Sequence, residues 1–313
     1  MLGREVARRL VPGRGASLWS DEVIDACATC DALVANLECC ISERGARTGV
    51  IPDKPFFFRS PPAGVEALAA IGVGVAGLAN NHALDYGPDA LGVTLAHLRE
   101  AGIAAAGAGS NEREARRGAL VRAADTTLGV LALSDHPREF AAGAGSPGIA
   151  HAELARGLPD WVGAELERLR EDADLVLAFP HWGPNMTERP ERWQRRRAAE
   201  LLDAGADAVA GHSAHVFHGI ELLERGPVLY DLGDALDDYA IDGELRNDLG
   251  VIAIWRPRGE PQLELLGLAL DHCHTRVASG ADADWIAARL ARACEELGTP
   301  VERTGEARFA VDG

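Results

Sequence analysis

VGVAGLANNHALDYG, residues 73–87, decides how this chain is read. Val73 to Ala79 is a short apolar run suited to a buried strand, and it stops on Asn80, Asn81 and His82, side chains that can each hold a metal or a phosphate oxygen. The pattern recurs. LVANLE (33–38) closes on Asn36 and Glu38, DLVLAFPHWG (174–183) on His181, and ADAVAGHSAH (206–215) on His212 and His215. Amphipathic helical stretches precede these runs, among them DEVIDACATCDA, PPAGVEALAAI, WVGAELERLREDA and ERWQRRRAAELLDAG. Helices joined to strands by short connections predict an α/β fold with a mostly parallel sheet. Ligands of such sheets gather outside the carboxyl ends of the strands, so these polar groups are expected to converge.

GALVRAA, LGVLALSD, VFHGIELLE, PVLYDLG, LGVIAIW and QLELLGLALDH read as strands with few helices between them, which predicts a second, mixed or antiparallel sheet. Two sheets face to face with helices outside would make one domain over residues 1–313, since no repeat or linker divides the chain. The small-residue stretches near 106–110 and 141–148 read as loops, and the end of the chain as a capping helix and a last short strand.

Hydrophobic residues at 47% and charged residues at 25% exclude a disordered chain. The balance of 31 basic against 48 acidic residues, formally -17, opposes long contact with nucleic acid or an anionic membrane. A small anionic substrate stays compatible, because a bound cation inverts the local field. No apolar stretch is long enough to span a membrane, and MLGREVARRL lacks the apolar region of a signal peptide, so the expected location is cytoplasmic. Nothing in the sequence sets the oligomeric state. Six scattered cysteines argue against a disulfide framework, and Cys27-x-x-Cys30 on a helix-like stretch reads as buried small side chains rather than a redox or zinc motif.

Imidazoles with carboxylate and amide oxygens, and no thiolate, suit manganese, iron, zinc or nickel rather than calcium or a structural zinc site. Each residue alone has an ordinary reading: a histidine satisfied at a strand end, asparagines in Asx turns. Gly211 strengthens the GHSAH pair by permitting a close backbone approach. Arg195, Arg196 and Arg197 share a helix with Glu191 and Glu200 and read as a solvated, salt-bridged face, and Lys54 as a surface charge.

In order along the chain, NLE, LANNHALDYG, PHWG, QRRRAAELLDAGADAVAGHSAHVFHGIEL and VLYDLG resemble CapA-like proteins, the capsule and poly-γ-glutamate synthesis branch of the calcineurin-like metallophosphoesterase superfamily. The resemblance implies a four-layer α/β/β/α sandwich with two divalent metals (manganese, iron or zinc) at the strand ends. It implies Glu38 as the bridging carboxylate, Asn81, His181 and His212 as ligands of one metal, and His215 as a ligand of the other. His82 would assist the leaving group, with Asp85 as its anchor or a turn former, and Asn36 and Asn80 would orient their neighbours. Arg4, Arg59, Asp135 and His136 are candidate substrate contacts. The family's first strand ends in Gly-Asp, with the aspartate a ligand, shortly before a Met-Leu-Gly-Arg-like stretch. This sequence opens at that stretch, so the first strand and its aspartate are expected to be missing. A start placed too far downstream is the favoured explanation, and a native Met1 would leave a weakened or one-metal site. Asp231 and Asp234 stand where the family has other residues and read as a solvated acidic loop, or as recognition of a cationic substrate.

The function these observations imply is metal-dependent hydrolysis of a phosphoester by a metal-held hydroxide, on a small anionic or polymer-derived substrate. An amide or peptide bond is the first alternative. The second is a non-catalytic polymer-binding or assembly component.

Overall fold

The computed structural model describes residues 1–311. Helices α1 (Arg4–Arg9) and α2 (Asp21–Ala28) lead into strand β1 (Leu33–Asn36), followed by the short strands β2 (Cys40–Ile41) and β3 (Arg59–Ser60), α3 (Gly64–Ala70), β4 (Val73–Gly77), α4 (Gly87–Glu100) and β5 (Ala104–Ala106). Next come β6 (Ala108–Gly109), α5 (Glu112–Arg116), β7 (Ala119–Ala123), β8 (Thr126–Ser134), β9 (Gly148–Ile149), α6 (Asp160–Asp172), β10 (Leu175–His181), α7 (Arg192–Asp203), β11 (Ala208–Ala210), β12 (Ile220–Leu223) and β13 (Gly226–Leu229). The rest is β14 (Leu249–Trp255), β15 (Leu263–Asp271), β16 (His274–Val277), α8 (Gly280–Glu295), β17 (Val301–Arg303) and β18 (Arg308–Val311).

Local chemistry sets the helix ends. The Ser20 hydroxyl accepts the Val23 N–H at the start of α2, which turns Val23, Ala26 and Cys27 toward the interior. At α7 the Glu191 and Gln194 side chains cap each other's backbone N–H groups. The latter half of β8 is a continuous buried run, as a central strand covered on both faces requires, whereas β7 alternates at the rim.

Strands β1, β4 and β5 form a parallel sheet. A six-stranded sheet runs β12-β13-β11-β10-β8-β7, parallel through its middle and antiparallel at both edges. Strands β14 to β18, with β16 beside β15, make an antiparallel sheet. Helices α2, α3 and α4 pack on the outer face of the three-stranded sheet through Val23, Leu68, Leu91 and Leu98, and α6 and α7 cover the six-stranded sheet through Leu166, Leu169, Leu201 and Leu202. Between the sheets lie Val75, Ala106, Val130, Phe179, Val251 and Leu265. The α/β/β/α sandwich is as expected.

Three details differ from the sequence reading. Strands β7, β8, β12 and β13, expected in the second sheet, join the sheet of β10 and β11 instead, because an apolar run is suited equally to either layer. The layer facing them consists of two separate sheets, the β1 sheet and the β14 sheet. The two small-residue loops contain a ladder, β6 with β9, that pairs Ala108 with Ile149.

The arginine-rich helix also differs. Arg197 is buried and pairs with Glu200, while Arg195 reaches across to Glu221 on β12. Glu221 is buried too, and accepts the Tyr230 hydroxyl at 2.5 Å. Tyr230→Phe leaves this carboxylate with one partner fewer and is expected to lower the unfolding free energy by about 1–2 kcal/mol. Urea melts of the two proteins check this, and coincident curves would show the hydroxyl to be idle.

Candidate metal centre

Register brings the histidines together. β10 and β11 are parallel, and beyond β11 the ladder continues as a bridge between His181 and His212. Their Nδ1 atoms are 2.8 Å apart. Glu38, two residues beyond β1, places Oε1 3.2 Å from His181 Nδ1. Glu38, His181 and His212 each offer a ligand atom, and these atoms lie within 4.8 Å of one another. The two Nε2 atoms and Asn81 Oδ1 are buried without a hydrogen-bond partner. Unpaired buried polar atoms are costly, and a cation is the partner that imidazole and amide lone pairs could share.

The electrostatics suit that use. Burial, reinforced by His212, holds the His181 pKa well below the ordinary imidazole value, and burial pushes His212 down to about 3. Both rings are therefore neutral near pH 7, the form that ligates. His215 behaves oppositely. Burial works against its charge, yet Asp234, with both carboxylate oxygens 3.1 Å from Nδ1, lifts it to about 10. The same pairing lowers Asp234 in spite of its burial.

His82 is buried, with its ring stacked on Phe58 at 3.9 Å between centroids and its Nδ1 2.7 Å from Asp85 Oδ2. Burial outweighs the help of Asp85 and lowers its pKa. Asp85 also accepts the Phe58 N–H at 2.6 Å and lies 3.2 Å from Lys54 Nζ, so it does more than form a turn. Lys54 is not the surface charge that its composition implied: it is enclosed, and it donates to the Asn81 carbonyl at 2.8 Å. Asn80 is fully buried; its amide donates to Asn36 Oδ1 and the Leu37 carbonyl while its oxygen accepts the His82 N–H. It thus fixes the two strand-end loops to each other.

The remaining candidates divide. His136 is hydrogen-bonded to Asp135 and has its ring 4.9 Å from that of His181, and Asp135 accepts the Gly183 N–H, so this pair borders the cluster. Arg4 lies at the rim, 3.4 Å from Asp238 and beside Phe56 and Tyr239. Arg59 stacks on Tyr86 at 4.2 Å and donates to the Gly45 carbonyl, contacts that do not involve the cluster. The acidic stretch after β13 is not a solvated loop. Asp231, Asp237 and Asp238 are buried; Asp231 accepts the Ala214 and Gly233 N–H groups, and burial raises its pKa to about 7. Burial and Asp234 raise Asp237 to about 8. Sequence reasoning missed Tyr239, whose ring meets His215 edge-on at 5.3 Å, and Phe58 beneath His82; aromatic residues beside the DD and FRSPP stretches were the available signal. All six cysteines are free; Cys27 is buried in α2, where burial raises its thiol to about 11, while Cys30, just past the helix, is half-buried. Among the described residues no helix is long and apolar enough to cross a membrane.

The family model for the bacterial capsule synthesis protein PGA_cap matches residues 1–239. The chain belongs to the PGA_cap family. A Mycobacterium tuberculosis (strain H37Rv) protein named "Probable polyglutamine synthesis accessory protein" is 32% identical over 285 residues, covering 87% of this chain and 74% of its own. The capsule biosynthesis protein CapA of Bacillus anthracis is 30% identical over 193 residues, covering 59% of this chain and 45% of that relative. A phosphatase from Mycoplasma pneumoniae superposes with a TM-score of 0.45 at 11% identity, over 82% of each chain. The PGA_cap match ends at Tyr239, so it contains every strand-end residue of the cluster and leaves the antiparallel sheet outside.

Gly211 is the tightest point of this PGA_cap centre. A Cβ there would lie 2.3 Å from Trp182 Nε1 and 2.4 Å from the Tyr230 carbonyl, whose own hydrogen bond fixes the indole. Gly211→Ala is expected to displace His212 and to cost about 1–3 kcal/mol. Gly92→Ala, in α4 with nothing within 4 Å of the added carbon, is the control that leaves stability unchanged or slightly raised. Equal urea midpoints for the two variants would contradict the close approach.

Proposed function

We propose that this chain is a metal-dependent hydrolase of phosphoesters, working in the capsule or polyglutamine synthesis for which relatives are named. One observation carries the reading: a carboxylate and two neutral imidazoles converge in the interior, beside a third orphaned oxygen on Asn81. Glu38, Asn81, His181 and His212 would hold one divalent cation, manganese, iron or zinc. His215 and Asp234 would take a second once His215 gives up its proton. Bound cations of this kind supply an activated water and neutralise charge on a phosphoester.

The protein's own groups do the rest. Asp85 accepts the Nδ1 proton of His82, which makes Nε2 the atom that takes up and releases a proton at the departing oxygen. Because burial keeps His82 neutral, a proton acquired there is readily passed on. Phe58 keeps water from the ring face, and Asn80 holds the two loops in place. His136, hydrogen-bonded to Asp135 and beside the His181 ring, would contact substrate.

Elemental analysis and a chromogenic phosphodiester test the proposal together. Two metal equivalents are expected, removable by chelation with loss of turnover. His181→Ala should weaken metal affinity at least ~10-fold, the scale of losses at metal sites. His82→Ala should keep its metal and lose roughly 10²–10⁴ in kcat. A protein that takes up neither manganese, iron nor zinc overturns the reading. The relative's name, an accessory protein, favours one second reading: a metal-loaded protein inert toward esters and amides that binds γ-linked polyglutamate would be an assembly component.

A further inference from the structure

At the rim of the metal centre the fold fixes a guanidinium without using its hydrogen-bond donors. Arg4 opens α1 at φ 52°, in the left-handed region that favours glycine, and a residue with a side chain keeps that conformation only where its surroundings impose it. Gly3 lies so tightly against Phe58 that a Cβ there would come within 2.9 Å of the Phe58 Cβ. From this point the Arg4 side chain extends over two rings, its guanidinium carbon 5.6 Å from the centre of Phe56 and 6.0 Å from that of Tyr239. Asp238, with a fully buried side chain, faces Nε at 3.4 Å with one oxygen and accepts the Glu5 N–H at 2.6 Å with the other. The guanidinium hydrogen-bonds to no described residue, and 39% of the side chain stays exposed.

The same rings lead to the histidines. Tyr239 meets His215 edge-on, and Phe58, stacked on His82, lies 6.0 Å from Tyr239 and 6.5 Å from Phe56. One ring therefore separates Arg4 from His215. Other cations nearby are occupied, Lys54 by Asp85 and the Asn81 carbonyl, Arg59 by Tyr86 and the Gly45 carbonyl. An anion approaching this end of a chain with a formal charge of -17 meets buried carboxylates at Glu38, Asp237 and Asp238, and needs a cation of its own. We infer that Arg4 is a specificity-determining residue that binds a second anionic group of the substrate, a carboxylate or a phosphate, set apart from the group held at the metal centre. A guanidinium fork matches either oxyanion with two parallel N–H···O bonds. Phe56, 53% exposed beside it, offers apolar surface to the carbon chain that joins the two groups. The inference rests on the proposed hydrolase reading for the bond that is cleaved, and adds what the rest of the substrate carries.

Three chromogenic phosphodiesters test it, alike except for the end of one alkyl arm: a carboxylate, a phosphate monoester, or the methyl ester of the carboxylate. The metal-loaded protein is expected to favour an anionic arm over the methyl ester by roughly 10–100-fold in kcat/KM, the scale of a hydrogen bond to a charged group, and the preferred arm identifies the oxyanion. Arg4→Ala should erase the preference by raising KM for the anionic esters with little change in kcat, which is the signature of binding shared by ground and transition states. Arg4→Lys keeps a charge beside Asp238, and with it the fold, but lacks the fork, so most of the preference should be lost there too. Equal use of the three esters by the unaltered protein, equal losses on all three in Arg4→Ala, or full preference in Arg4→Lys overturns the inference. If none of the esters is cleaved, the hydrolase reading fails and calorimetry decides this inference alone, with γ-linked triglutamate and glycerol phosphate as probes. A Kd raised roughly 10-fold for either probe in Arg4→Lys supports the anion subsite, and unchanged Kd values or no binding refute it.

Discussion

The parallel register of β10 and β11 is the constraint on which the centre depends. It sets His181 against His212 across one bridge, and every other group of the cluster arrives at that bridge from a loop at the same end of the sandwich. Parallel pairing puts carboxyl ends side by side, so residues far apart in sequence meet without a dedicated binding element. The register is held in turn by the Trp182 N–H on the His212 carbonyl and the His212 N–H on the Pro180 carbonyl. Glycine at 211 lets these two stretches approach the Tyr230 carbonyl so closely.

Around that bridge the protein separates two kinds of imidazole. His181 and His212 face each other with only Glu38 for a charged partner, and burial keeps them neutral. His215 has a carboxylate of its own and carries charge. His82 stands between the two cases, oriented by an aspartate yet held neutral by burial, with the nearby Lys54 charge acting in the same direction. One enclosed end of the sandwich thus holds two neutral rings, a charged ring and a ring oriented by an aspartate, distinguished by their nearest carboxylates.

Much of the centre was legible because the residues sit where strands stop. Asn80, Asn81 and His82 follow an apolar run, where the joint pattern outweighed the ordinary turn reading of each residue, and Asp85, three residues on, read as the anchor of His82 or as a turn former. Gly211 was readable for the same reason. The long-range pairings were not. Lys54 looks solvated by composition, and only the fold brings it to Asp85. Arg197 and the aspartates after β13 are charged residues enclosed by partners that no local pattern reveals. The assignment of strands to sheets failed on a related point: an apolar run records that both faces are covered, not which neighbours cover them.

The outer edges of β1 and β14 face each other across a groove floored by Leu177, Phe179, Ala210 and Leu229, instead of lying on an outer rim. On ordinary sheets, a lysine, a proline or a bulge deters another molecule from adding its own strand there. Here shape does that work, since a folded partner would have to bring its own sheet margin into the groove to pair with either edge. Growth of either sheet by a second copy is thereby disfavoured at these two edges, whose backbone groups are reached only from within the groove.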